Sequence, residues 1–211
     1  MKARIPKLVY KIAFSLSSRW VDRLAKAFRE FRIEFKSGWL AKKLKECGTA
    51  LRIESPFKIM GHKYISIGNN FTSGTGLRIE AVDGYFNDRF NPEIIIGNNV
   101  AMNMDCHIAC INKIVIGDNV LMASRVFITD HFHGNLDRSD LDKAPALRSL
   151  ASKGPVIIEE NVWIGEGVVI LPGVTIGKGS IIGANAVVTS SFSENSTIAG
   201  VPARHIEIIQ R

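Results

Sequence analysis

The sequence predicts a parallel β-helix, an all-β solenoid of short stacked coils, and three observations carry that expectation. The first is a strict period of six: Ile158, Ile164, Ile170, Ile176, Ile182 and Val188 recur at every sixth position. A helix repeats its faces about every 3.6 residues and a strand every two, so neither alone accounts for the period. Short repeats of this kind mark β-helices, in which each coil stacks its aliphatic residue on the one below and only stacking buries a continuous core. The second observation is that the same phase returns upstream. It appears at Ile116, Met122 and Ile128, at Ile96, Met102 and Ile108, and more weakly at Ile67, Ser73 and Ile79. The third is that the phase breaks twice, over residues 80–93 and 134–155. A solenoid accommodates such insertions as loops bulging from one corner, often on a binding face.

Taken in order, the chain divides into a helical segment over 1–50, the solenoid over 51–205 with its two loops, and a tail over 206–211. In the first segment Leu16, Trp20, Leu24, Phe28, Phe31 and Phe35 recur at spacings of three and four, with Arg19, Arg23, Lys26, Arg29 and Arg32 between them. This is one aromatic-aliphatic stripe on an otherwise basic helix. Residues 1–50 hold 13 Lys/Arg against four Asp/Glu, whereas the remainder holds 14 against 16, so the net charge of +7 belongs to this segment. Two readings fit. The helix docks on the solenoid flank or at a subunit contact, or residues 1–45 lie on an anionic membrane surface. Nucleic acid is not expected, because the basic residues accompany no nucleic-acid fold signature.

At 211 residues the core is large enough to need no disulfides. Cys47, Cys106 and Cys110 make an odd count with no paired framework, which suits a reducing cytoplasm. No apolar run approaches the roughly 18 residues of a membrane span, and the N-terminus has no apolar segment with a small-residue cleavage site. The expected location is the cytoplasm, with the inner membrane face as a peripheral option.

Of five histidines, His131 and His133 stand out by place. The repeat leaves its phase at Asp130, and the long 134–155 loop follows at once. A polar cluster where a regular coil opens into a loop is a candidate site. Asp130 either fixes the tautomer of a neighbouring imidazole or serves as a turn residue.

Five motifs give the chain a family resemblance: Ile116-Gly-Asp-Asn-Val, Thr129-Asp-His-Phe-His-Gly134, Val162-Trp-Ile-Gly165, Leu171-Pro-Gly-Val-Thr-Ile-Gly177 and Gly200-Val-Pro-Ala-Arg204. In this order and spacing, over about residues 65–205, they resemble the hexapeptide-repeat acyltransferases. Within them the likeness is to the maltose and galactoside O-acetyltransferase group, and most to the sugar O-acetyltransferases of lipopolysaccharide and capsule synthesis. The resemblance implies a left-handed coil, against the usual right-handed crossover. It also implies acetyl-CoA as co-substrate with no metal, and a homotrimer with sites between subunits. The acceptor would be a sugar, nucleotide sugar or lipid-linked glycan.

Residue by residue, the resemblance gives His131 the place of the general base, with His133 as second choice or acceptor contact. An acceptor hydroxyl is a poor nucleophile at neutral pH, and a neutral imidazole can take its proton. Asn103, 13 residues before Ile116, takes the acceptor-binding position, with Asp105 a weaker neighbour. The backbone N–H of Glu166 takes the oxyanion position, although a small side chain is usual there. Trp163, Ala123, Ala184, Thr189 and Arg204 take coenzyme A contacts, Arg204 as a phosphate partner. Two departures bear on phosphate binding. Ser190 and Glu207 stand where basic residues are common, which leaves Lys153 and Lys178 as substitutes.

Other readings stay open at this stage. The same fold and base serve N-acetylation of an amino sugar or acylation of an antibiotic. A non-catalytic scaffold is a further class. A zinc carbonic anhydrase would draw on His107, His131 and His133, but His-x-His is not the spacing of those relatives.

Overall fold

A computed structural model describes residues 9, 11–12, 19–134, 140 and 142–206. The period of six becomes three faces. Three successive repeats close one coil, so that Ile158 pairs in parallel register with Ile176. Each coil gives one short strand to each of three sheets. The first face has six strands, from Glu46–Cys47 to Thr175–Ile176. The second has eight, from Arg52–Ile53 to Arg204–His205, and the third has six, from Lys58–Met60 to Val187–Val188. The solenoid thus begins at Glu46, ahead of the expected boundary at residue 51, because Glu46 and Cys47 already pair with Ser66 and Ile67.

The repeated aliphatic residues point inward as buried columns. Ile67, Ile96, Ile116, Ile158 and Ile176 form one, and Ile79, Ile108, Ile128, Ile170 and Val188 another. The residue four positions on, such as Val100, Val120, Val162 or Val168, fills the corner and is buried too. Ser73 is the weak point of the pattern. It sits in register between Ile53 and Met102, and its buried hydroxyl finds no partner among the described residues. The glycine after the aliphatic residue has a steric cause. A Cβ on Gly165 would stand 2.6 Å from the Ala184 nitrogen, and one on Gly117 2.7 Å from that of Glu160.

The first corner, between the first and second faces, explains the Asn-Asn pairs of the motif. Asn70, Asn99, Asn119 and Asn161 all adopt positive φ, which Asn tolerates better than most residues. Their amides form a ladder, each Nδ2 donating to the next Oδ1: Asn70 to Asn99 at 2.9 Å, Asn99 to Asn119 at 3.0 Å and Asn119 to Asn161 at 3.1 Å.

Helix α1 (Arg19–Ala41) packs on the first coils, but not through its aromatic stripe. Ile33, Ser37 and Leu40 are the buried residues of the helix. The Ile53 N–H donates to Ser37 Oγ at 3.0 Å. Arg52 pairs with Glu30 at 2.8 Å and Glu34 at 3.5 Å, and Arg29 pairs with Glu54 at 2.8 Å. Trp20, Leu24, Phe28, Phe31 and Phe35 are exposed. Polar complementarity, rather than aromatic burial, orients the helix on the solenoid. Leu16, the first residue of the expected stripe, lies outside the described residues.

Both insertions leave from the third corner, between the third and first faces. The strand Arg78–Ala81 still belongs to the third face, so the first insertion occupies 82–92 and carries the hairpin Gly84–Tyr85 with Asp88–Arg89. The second carries the antiparallel pair Phe132–His133 with Leu150–Ala151. The two insertions touch: the Tyr85 hydroxyl donates to the Ala146 carbonyl at 2.6 Å.

Candidate active site

The third-face strand Phe127–Thr129 delivers Asp130 and His131 to the third corner. Asp130 is fully buried. Its carboxylate accepts from the Ile111 N–H at 2.9 Å, the Asn112 N–H at 2.8 Å and the Cys110 thiol at 3.2 Å. A buried carboxylate needs such donors, since an unpaired one would protonate. Burial alone would raise its pKa, but the hydrogen bonds from His131, Ile111, Asn112 and Cys110 outweigh that and hold it below the usual carboxylate range. Asp130 is therefore no ordinary turn residue. Cys110 carries the converse shift: burial first, then the Asp130 charge, pushes its thiol far up, so it stays a protonated donor.

His131 Nδ1 lies 3.0 Å from Asp130 Oδ1. Facing an ionised acceptor, Nδ1 carries the hydrogen, and Nε2 is left as the basic lone pair. Among the described residues Nε2 has no hydrogen-bond partner, and the side chain is only 12% exposed. Thr129 Oγ1 accepts the His131 N–H at 3.3 Å and adds a second restraint. His133 is held differently. Its ring meets Tyr85 edge to face, 5.5 Å between centroids, so it forms part of the wall between the two insertions. Gly134 ends the motif with φ +90, and a Cβ there would stand 2.8 Å from Arg148 Cδ.

A second polar group lies on the same face two coils below. Glu80, Ala109 and Thr129 are in register, and all three are buried although they point outward. Glu80 receives Arg78 at 2.7 Å, Lys58 at 3.1 Å and His107 Nε2 at 3.3 Å. Burial would raise its pKa, but the hydrogen bonds from Arg78 and Lys58 lower it on balance. Burial, and then the charge of Arg78, lowers that of His107, whose ring stacks on Phe127 at 4.9 Å. Glu80 was not among the expected site residues, and the loss of repeat phase at that position was the signal available. The amides of Ile111 and Asn112 were beyond sequence reasoning, because they act through backbone. Among the described residues no three His, Cys, Asp or Glu gather so as to hold a metal ion.

The remaining expected residues lie mostly on the second corner, between the second and third faces. Asn103 and Ala123 follow the paired Met102 and Met122 on adjacent coils, and Gly165 and Gly183 continue their column. One position on lie Glu166 and Ala184, both exposed. The Glu166 N–H has no acceptor among the described residues. Its carboxylate pairs with Arg125. Asp105 and Arg125 occupy the positive-φ position of this corner. Trp163 is half-exposed on the second face, between Leu121 and Ile181. Thr189 is exposed just beyond the last strand of the third face. Arg204 is exposed on a strand that folds back antiparallel to Thr197–Ala199. Of the substitute cations, Lys178 pairs with Glu194 at 3.5 Å, while Lys153 lies 5.5 Å over the Phe132 ring. Glu207 lies outside the described residues.

Within one chain, then, His131 and the Glu166 amide sit at opposite edges of the third face. Val126 to Asp130 alone spans four extended residues, about 13 Å.

The signature of the bacterial transferase hexapeptide (six repeats) matches residues 155–190. The chain is 43% identical over 159 residues to WbbJ of Escherichia coli K12, a protein named as a lipopolysaccharide biosynthesis O-acetyl transferase. The match covers 74% of this chain and 77% of WbbJ. The chain belongs to the hexapeptide-repeat acetyltransferases. Two solved members of this family share its architecture. A maltose O-acetyltransferase from Clostridium difficile 630 superposes with a TM-score of 0.56 at 28% identity, covering 91% of this chain and 86% of that one. A galactoside acetyltransferase solved with coenzyme A gives 0.58 at 28% identity, covering 84% and 72%. As a hexapeptide-repeat acetyltransferase, the chain keeps an acidic partner buried beneath the histidine of the Thr-Asp-His motif.

Proposed function

We propose that this acetyltransferase moves the acetyl group of acetyl-CoA to a sugar hydroxyl in surface polysaccharide synthesis, with His131 as general base. The observation that carries the reading is the Asp130–His131 pair, 3.0 Å apart, with Nε2 left without a hydrogen-bond partner among the described residues. His131 Nε2 takes the proton of the acceptor hydroxyl as its oxygen attacks the thioester carbonyl. The tetrahedral oxyanion is met by a preorganised N–H, for which the Glu166 amide is the candidate. On collapse the C–S bond breaks, and His131 returns the proton to the departing thiolate. Asp130 remains ionised throughout and stabilises the imidazolium between the two transfers. Transfer is direct within a ternary complex, without an acyl-enzyme.

The separation of His131 from the Glu166 amide supports a site shared between two copies, so that one chain's third corner faces the second corner of its neighbour. Three chains in a closed ring, each with a left-handed coil, satisfy this arrangement. Asn103 and Asp105 would then meet the acceptor. Ala123, Trp163, Ala184, Thr189 and Arg204 would meet coenzyme A, and His133 with Tyr85 would shape the acceptor side. Identity with WbbJ supports a lipopolysaccharide or capsule sugar as acceptor.

The test is calorimetric titration with acetyl-CoA, followed by acetyl transfer to nucleotide sugars and lipid-linked glycans. Micromolar binding near one site per chain and an acetyl ester in the product are expected. No binding at millimolar acetyl-CoA would overturn the reading. An acetamide product in place of an ester would move the acceptor to an amino sugar.

A further inference from the structure

We infer that the outward face of α1 is a docking surface for an anionic lipid bilayer. Trp20, Leu24, Phe28, Phe31, Phe35 and Trp39 are each more than half exposed. At about 100° per residue they fall within an arc of about 100°, and the buried Ile33, Ser37 and Leu40 are centred on the opposite side of the helix. The stripe therefore points straight away from the solenoid, and it runs about 28 Å along the axis. Among the described residues no helix is long and apolar enough to cross a membrane. An exposed apolar stripe of this kind suits a helix lying in the plane of the interface.

Charge decides the occupant. Glu30 and Glu34 are turned toward Arg52 on the solenoid. Arg23, Lys26, Arg32 and Lys36 make no ion pair among the described residues, and Asp22 is the one carboxylate of α1 left to set against them. The Arg23 guanidinium lies 5.7 Å over the Trp20 ring, and Lys43 Nζ lies 3.4 Å over that of Trp39. Both ends of the stripe thus present an indole beside a cation, the pairing favoured at headgroup level. A second copy of the chain would bring the same positive charge against this face, since residues 1–50 carry 13 Lys/Arg against four Asp/Glu. An anionic bilayer supplies both the apolar medium and the countercharge. Docking there would hold the acetyltransferase beside a lipid-linked acceptor.

The experiment is flotation of the full chain with vesicles of phosphatidylglycerol and phosphatidylethanolamine, against vesicles of phosphatidylcholine alone. Binding to the anionic vesicles is expected, at least about tenfold weaker on phosphatidylcholine or in about 0.5 M salt. Combined Phe28→Ser, Phe31→Ser and Phe35→Ser should weaken it at least about tenfold, with acetyl-CoA binding and assembly mass unchanged. Arg23→Gln, Arg32→Gln and Lys36→Gln together keep the apolar surface and should weaken binding to anionic vesicles alone. Absence of wild-type flotation, or flotation of both variants equal to that of the wild type, overturns the inference. So does a change of assembly mass in the Ser variant, which would assign the stripe to a second copy. Vesicle binding is read without acceptor or acetyl-CoA, so its failure leaves the transferase reading standing, and the reverse also holds.

Discussion

The first and second corners of the solenoid share one backbone turn and differ in what their side chains do with it. Both place a positive-φ residue at the same step of each coil. At the first corner that residue is Asn on four coils, and the amides satisfy one another in a ladder. At the second it is Gly76, Asp105, Arg125, Gly167 and Asn185, and the side chains form no such ladder. The first corner closes on itself and serves stability. The second leaves the Glu166 amide without an acceptor among the described residues, and the third carries the insertions and His131. A solenoid can keep one edge for cohesion and turn the others to chemistry, because each corner is specified by separate positions of the repeat.

The largest test of this division is His131→Ala. Turnover should fall at least about 100-fold, with acetyl-CoA affinity kept. Near-full turnover in steady-state assays would remove the base from the third corner. Asp130→Asn should follow, lowering turnover about tenfold or more through loss of the enforced tautomer. It carries a stability signature as well. A carboxylate held below its unfolded pKa stabilises the fold above that value and loses the contribution as pH falls through the folded one. Acid unfolding of the wild type should therefore steepen below about pH 4, and Asp130→Asn should flatten that dependence. An unchanged acid limb would mean that the buried hydrogen bonds do not act as described.

Gly165→Ala tests the contact between coils at the second corner. Its Cβ meets the Ala184 backbone nitrogen at 2.6 Å, so a loss of about 1–3 kcal/mol is expected in denaturant titration. Asn119→Ala removes the middle of the first-corner ladder and puts Ala at φ +58, for a loss of about 1–2 kcal/mol with turnover unchanged. A fall in turnover there would end the assignment of that corner to stability alone. The smallest effect belongs to Arg125→Gly. Gly relieves the left-handed strain at φ +59, and the exposed pair with Glu166 contributes little, so the change should stay within about 1 kcal/mol and favour the fold.

Much of this was legible in the sequence, for a physical reason. A β-helix stacks identical geometry on itself, so burial, corner packing and close approach between coils each imprint a residue type at a fixed phase. Ile158, Val162 and Gly165 announce their places without reference to anything distant in the chain. The Thr-Asp-His motif likewise marked where the chain leaves the repeat. The face of α1 that docks was not legible, because the aromatic stripe is the stronger pattern while Arg52 and Glu54, far along the chain, choose the opposite side. Nor was the burial of Asp130, since its donors come from the backbone of Ile111 and Asn112 on the coil below, and backbone leaves no mark on composition. The local periodicity determined the stacked β-helix by itself, while the register of Ile158 on Ile176 showed that three repeats close a coil. Only the tertiary structure decided which carboxylate lies under His131, and that one chain holds His131 and the Glu166 amide at opposite edges of a face.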